Sequence, residues 1–331
     1  MKNTNSPTFR LSWLFQSRFS LIWLLFVMVV GFSMTSSAFR APDNLLEILR
    51  SSGITAILVL GLTWIVAIGE MDISFADVAA LVSMVTAYLV IKNVPIEVAL
   101  FMAFIAGTLI GALNGFMVAY MKIPSLIGTI ATGFTAKAIA KILGGGKPLP
   151  IESGGSQIVY GFVYGEILGI PVLFLTTLAI YIFCRFLQDQ TTMGQHLYAL
   201  GENRQAAREA GIKEPKIIFY YFILCAVLAS IAGILATAQL GSGVSEIGGG
   251  TLTIQGFTAV FLGVMVVKAG KPNVIGTLIG VIMLTVLLNW ITLLGLRTFI
   301  VWLARGAMLL IGVTIVTLSS YQRKVSRLQI T

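Results

Sequence analysis

The chain has 331 residues, of which 57% are hydrophobic and only 11% charged, and its mean hydropathy is +0.95. A soluble domain is excluded, because so little polar sequence cannot make an outside for that much apolar surface. The net charge of +9 comes without a polar domain to carry a basic face, which excludes nucleic acid as a partner.

Residues 1–18 are polar and lead into a full-length apolar stretch, with no short apolar core ending in small residues. The pattern predicts a retained first helix rather than a cleaved signal peptide. Ten spans follow, at about 19–38, 53–69, 74–91, 95–119, 124–143, 164–186, 216–239, 252–268, 272–294 and 299–319. Runs of roughly 17 to 25 apolar residues are what a helix needs to cross hydrocarbon. Barrel strands would instead alternate in segments of about ten residues. The sequence therefore predicts an all-α polytopic membrane protein of about ten transmembrane helices, one transmembrane domain over residues 1–331 set in a lipid bilayer.

Orientation follows from Lys and Arg. With the N-terminus in the cytoplasm, most of the 22 basic residues fall on the cytoplasmic side, among them Lys2, Arg10, Arg18, Lys122, Arg204 and Arg208. Arg40, Arg50, Lys92 and Lys147 fall outside. An even number of spans returns Arg323, Lys324 and Arg327 to the cytoplasm.

Within the spans, Gly107, Gly111 and Gly115 recur at four-residue intervals, a spacing that lets two helix backbones approach closely in lipid. Gly-Thr-Leu-Ile-Gly occurs at 107–111 and again at 276–280, which makes Gly276 and Gly280 packing candidates and hints at an internal repeat. Thr63, Trp64, Asn114, Gln255, Asn289 and Trp290 are the candidates for a solute path. Such groups can hydrogen-bond a neutral solute without the cost of burying a charge. Each can equally tie one helix to another. Glu70, Asp72 and Ser74 sit in the short turn between the second and third spans, where the acids either cap the third helix or take part in gating.

The Gly/Pro-rich connections 144–163 and 240–250 read as loops that either link spans or form an external mouth. Residues 187–216 form the one sizeable cytoplasmic loop. In it Asn203 can cap a short helix that starts at Arg204, is favoured by Ala206, Ala207 and Ala210, and ends at Gly211. Glu202 and Glu209 balance Arg204 and Arg208, and Pro215 opens the seventh span.

Catalytic chemistry is not visible. His196 is the single histidine, and Cys184 and Cys225 fit neither a disulfide framework nor a metal-ligand spacing. No cluster suggests a metal, and no Gly-x-x-x-x-Gly-Lys-Ser/Thr loop grips a phosphate. No cofactor is expected on this chain, and nucleotide energy, if used, must come from another subunit.

Three blocks carry a family resemblance. Ile68-Gly69-Glu70-Met71-Asp72-Ile73-Ser74 resembles the Gly-Gly-Ile-Asp-Leu-Ser signature of ribose-type permeases of bacterial ABC importers. Residues 115–127, from Gly115 through Lys122-Ile123-Pro124 to Ile127, resemble that family's fourth-to-fifth-span junction. Residues 201–212, Gly-Glu-Asn-Arg-Gln-Ala-Ala-Arg-Glu-Ala-Gly-Ile, resemble its ATPase-coupling segment. The likeness covers roughly residues 45–315. It implies a permease of the bacterial inner membrane, paired with a second copy or a paralogue. A separate ATPase, carrying ATP and Mg, would dock at Asn203, Arg204, Ala206, Ala207, Arg208, Glu209 and Gly211. A periplasmic binding protein would deliver a sugar, with a pentose as the leading cargo. Glu70 departs from the family's usual glycine, as do Ala76-Asp77 and residues 263–272 from its pattern, and these departures bear on cargo and pairing. A self-contained secondary transporter would share the helices and polar core but would not need the 203–212 helix. A channel lacks a filter sequence here, and a membrane enzyme lacks catalytic groups.

Overall fold

The computed structural model describes residues 20–151, 161, 163–247, 251–267 and 270–328. The tail 1–18, Gly248-Gly249-Gly250 and Lys268 lie outside the described residues. Twelve helices occur among those described: α1 Ser20–Thr35, α2 Pro42–Ala67, α3 Phe75–Ile91, α4 Ile96–Ala119, α5 Ser125–Gly144, α6 Val172–Gln190, α7 Thr192–Glu202, α8 Arg204–Glu209, α9 Glu214–Leu240, α10 Thr251–Gly263, α11 Val274–Leu293 and α12 Thr298–Leu328. Six of them (α2, α4, α5, α6, α9 and α11) are long and apolar enough to cross a bilayer, and α1, α3, α10 and α12 contribute shorter apolar lengths. These ten correspond one to one with the expected spans.

The boundaries differ in four places. The second helix starts at Pro42 rather than near 53, because Pro42 and the first-turn acid Asp43 suit a helix N-terminus. The sixth starts at Val172 instead of 164, since Glu166–Ile167 (β2) and Ile170–Pro171 (β3) first form a tight antiparallel pair. The eighth, α10, stops at Gly263. Its freed carbonyls are met by Asn273, whose Nδ2 lies 2.8 Å from Val266 O and 3.3 Å from Gly263 O, while its Oδ1 accepts the Gly276 N–H. Irregular backbone at membrane depth needs such internal partners. The tenth runs on to Leu328.

α2 and α9 form the centre, crossing so closely that a Cβ on Gly61 would lie 2.5 Å from Cys225 Cα. Around them stand two units of four helices, α2–α5 and α9–α12. Their packing matches position by position. α3 packs on α4 and α5 as α10 packs on α11 and α12. α4 lies against α9 as α11 lies against α2, and α3 touches α9 as α10 touches α2. The end of α2 and the start of α9 meet at Arg204, which reaches both Ile68 O and Glu214, so these first helices run in opposite senses, as in inverted repeats. The duplicated Gly-Thr-Leu-Ile-Gly falls on the two matching third helices, α4 and α11.

The glycines sit at the close approaches. A Cβ on Gly107 would strike Ser230 Oγ, one on Gly111 would lie 2.8 Å from Phe222 O, and one on Gly115 2.9 Å from Phe219 O, all on α9. Gly276 meets Gly263 backbone to backbone, and Gly280 meets Ala259, both on α10. The two Gly/Pro-rich loops do not lie apart. Leu149–Pro150 (β1) pairs antiparallel with Ser242–Gly243 (β4), and Glu246 pairs with Lys141 at 2.8 Å.

Candidate functional site: the Arg204 cluster and a polar cavity

The segment 187–216 is more structured than its sequence indicated. Thr191 accepts the Gly194 N–H and starts α7, a helix absent from the sequence expectation. Asn203 then accepts the Ala206 N–H at 3.0 Å and starts α8, and Gly211 follows its end in the left-handed region at φ +83°. This is the cap and stop that the sequence implied. α7 is anchored from below: Tyr221 Oη donates to Met193 O, and Tyr198 Oη to Pro272 O. Burial, and after it the charge of Asp189, holds the Tyr198 phenol above its ordinary pKa. At the end of α7, a Cβ on Gly201 would run into Ala67 O, which fixes the element against the C-terminus of α2.

Arg204 joins three segments. Its guanidinium reaches Glu70 Oε1 at 2.5 Å, Ile68 O at 3.2 Å and Glu214 Oε1 at 3.4 Å, while Arg208 approaches Glu214 Oε2 at 3.6 Å. Glu70 and Glu214 are nearly buried, at 11% and 7% side-chain exposure, and Arg204 is 38% exposed. Half-exposed ion pairs are worth little on their own, on the order of 0–1 kcal/mol. What this cluster supplies is geometry: the start of α8 is tied to the end of α2, the turn into α3 and the start of α9. A cavity of about 570 Å³ opens beside it, lined by Glu70, Lys122, Ser125, Arg204, Arg208 and Glu214 among others. Ala206, Ala207 and Glu209 lie on α8 itself, where Ala207 is buried and Glu209 accepts from Gln205. Lys271 pairs with Glu202 on the same face.

The turn 70–74 is held by hydroxyls from α5: Ser125 accepts the Met71 N–H and Thr129 the Ile73 N–H, each at 3.1 Å. Asp72, 3% exposed, accepts both the N–H and the Oγ–H of Ser74 at the head of α3, the geometry of a cap. Glu70 does not cap; it faces Arg204.

The path candidates separate into two groups. Asn114 is engaged at both ends, donating to Ser74 Oγ at 2.8 Å and accepting from Thr132 Oγ1 at 2.6 Å. Thr63 shares a 2.8 Å hydroxyl bond with Thr277, and Trp64 donates to Gln188 at 3.3 Å. These three lie deep in the helix contacts. Trp290 stacks on Phe32 at 4.1 Å and donates to Thr35, holding α1. Asn289 exchanges a pair of hydrogen bonds with Asn44. Gln255 and Asn289 are the two candidates that share a cavity, about 330 Å³ in volume, with Glu47, Thr55, Thr285 and Arg305 on its walls. It lies at the far face, opposite α8.

Residues 44–318 match the family described as "Branched-chain amino acid transport system / permease component". The chain belongs to that family. Among its curated relatives, the ribose import permease of Escherichia coli K12 is 30% identical over 308 residues, 93% of this chain and 95% of the relative. The ribose import permease of Haemophilus influenzae is 29% identical over 290 residues, 87% and 90% of the two chains. An L-arabinose ABC transporter permease of Azospirillum brasilense is 25% identical over 301 residues, 91% and 88%. No solved structure matches the chain. The protein is thus a multi-pass membrane permease subunit rather than a catalytic one.

The sequence left several residues of this permease unmarked. Glu214 completes the Arg204 cluster and Asn273 closes α10, but their partners are far along the chain. Arg305 had a usable signal, because a charge within a membrane helix is costly and tends to mark function.

Proposed function

We propose that this permease forms the translocation pathway of an ABC importer that brings a sugar, a pentose in first place, from the periplasm into the cytoplasm. It sits in the bacterial inner membrane with both termini cytoplasmic, so α7–α8 and the Arg204 cluster face the cytoplasm and the 330 Å³ cavity faces the periplasm. A separate ATPase carrying ATP and Mg docks on α8, a periplasmic binding protein delivers the solute, and a second permease, identical or paralogous, completes the membrane part. The observation that carries this reading is Arg204. A docked helix tied at once to α2, α3 and α9 can pass a push from outside the membrane to the centre of the bundle. Supporting the cargo class are relatives named for ribose, arabinose and xylose that align over nearly the whole chain.

The test is purification in mild detergent with identification of whatever accompanies the chain, followed by reconstitution. An ATPase in fixed proportion, and pentose uptake that requires ATP and a binding protein, are expected. A chain that purifies alone and moves solute on an ion gradient overturns the reading in favour of a secondary transporter.

A further inference from the structure

The two cavities occupy matching positions in the two inverted units. The one beside α8 lies among the start of α9, the turn into α3, the end of α4 and the start of α5. Exchanging the units turns this set into the start of α2, the start of α10, the end of α11 and the start of α12, which is where the far-face cavity lies. The α8-side cavity is bridged by the ion pairs of Arg204. Its counterpart has no such bridge among the described residues.

Three of its polar groups are instead left open, although Asn289, Thr285, Thr292, Ser51 and Glu47 are engaged. Arg305 lies seven residues into α12, roughly 10 Å along the helix. It has a buried Nε with no partner, and no ion pair among the described residues. The Gln255 side chain is 7% exposed, and neither its amide nor the Thr55 hydroxyl has a hydrogen-bond partner among those residues. Glu47 also lines the cavity, where its Oε1 accepts from Ser51 at 2.8 Å and Gln239 at 3.2 Å. Ile48, Leu288 and Val301 supply apolar wall between these groups. Unpartnered donors and acceptors at membrane depth are costly unless water or a ligand meets them. A volume of about 330 Å³ falls at the small end of ligand sites.

We propose that this cavity is a subsite for a neutral polyhydroxylated solute, held through Thr55, Gln255 and Arg305 on the loading side of the permease. The Gln255 amide both donates and accepts, which suits hydroxyls. The Arg305 N–H groups donate to hydroxyl or ring oxygens, and the aliphatic side chains take the C–H face of the solute. The proposal rests on the sugar-importer reading for its class of ligand.

The experiment uses the assembled importer with Thr55→Cys, and Thr285→Cys as a second position should the first fail to assemble. Cys184 and Cys225 are buried, so the introduced thiol is the one a membrane-impermeant maleimide reaches. Saturating ribose, arabinose or xylose is expected to slow labelling several-fold, with leucine inert, and Gln255→Leu is expected to remove the protection. Protection by leucine alone overturns the proposal in favour of an amino-acid site, and a thiol that is never labelled overturns the open cavity. Labelling indifferent to every solute, while ATP-driven pentose uptake persists, overturns the subsite and leaves the importer standing. Sugar protection in a complex that shows no ATP-driven uptake supports the subsite and removes the importer reading.

Discussion

Asn114 and Gln255 are both amides near the ends of apolar helices, and both are almost wholly buried, at 1% and 7% exposure. Around Asn114 the amide closes a chain of hydrogen bonds running from Thr132 through Ser74 to Asp72, which binds α4, α5 and the head of α3 together. Around Gln255 the amide meets a cavity instead. The difference lies in the partners. An amide whose donor and acceptor are both engaged is structural, whereas one facing other unengaged groups across an open volume is available to a solute.

The comparison is most easily broken at Asn114. Asn114→Leu takes away the donor to Ser74 and the acceptor for Thr132. It should lower the stability of the purified permease by about 1–3 kcal/mol, read as a clear fall in thermal midpoint in detergent. An unchanged midpoint would mean that the knot is not holding these helices. Next in size is the Thr63–Thr277 pair. Thr63→Val should cost about 1 kcal/mol because it strands the Thr277 hydroxyl, and Thr277→Val less because Thr63 keeps its 3.3 Å bond to Val59 O, while the double variant should recover most of the loss. Additive losses in the double-mutant cycle would contradict a mutual bond.

Gln255→Leu should sharpen the contrast from the other side. Its thermal midpoint should move by no more than about 0.5 kcal/mol equivalent, although uptake falls. A destabilisation as large as that of Asn114→Leu would place Gln255 with the structural amides. The smallest effect belongs to Glu246, whose carboxyl is held below the ordinary 4.5 by the Lys141 hydrogen bond and then by Lys137. A depressed folded-state pKa stabilises above the unfolded value and is lost as pH falls through the folded one. Glu246→Gln should therefore be slightly less stable than wild type at pH 7, with the gap closing below about pH 4. The glutamate is about half exposed, so added salt should shrink the gap. A gap that widens in acid would refute the assignment.

Much of the fold could be read from local pattern. Spans show as apolar length, the α4–α9 seam as glycines four apart, and the start and stop of α8 as Asn203 and Gly211, because each signal and its cause lie within a few residues. The duplicated pentapeptide marked the two helices whose packing corresponds. The site was less legible. Asn114 finds Ser74 forty positions away, Arg204 finds Glu70 across 134, and Gln255 is distinguished only by bonds it does not make. Periodicity carries no record of such pairings. The start of α2 at Pro42 escaped for another reason: a polar first turn opened by proline is invisible to a search for apolar residues.

The early stop of α10 bears on how the chain enters the bilayer. Thirteen residues make a helix of roughly 20 Å, against about 30 Å of hydrocarbon. α10 by itself cannot finish the crossing, and the backbone beyond Gly263 closes on itself in turns, with Val266 O met by Asn273 at the head of the next helix. Gly263 and Gly276 are pressed backbone to backbone, so α10 and α11 pack closely where α10 ends. This geometry predicts that α10 and α11 enter the bilayer together, as a hairpin, rather than one after the other.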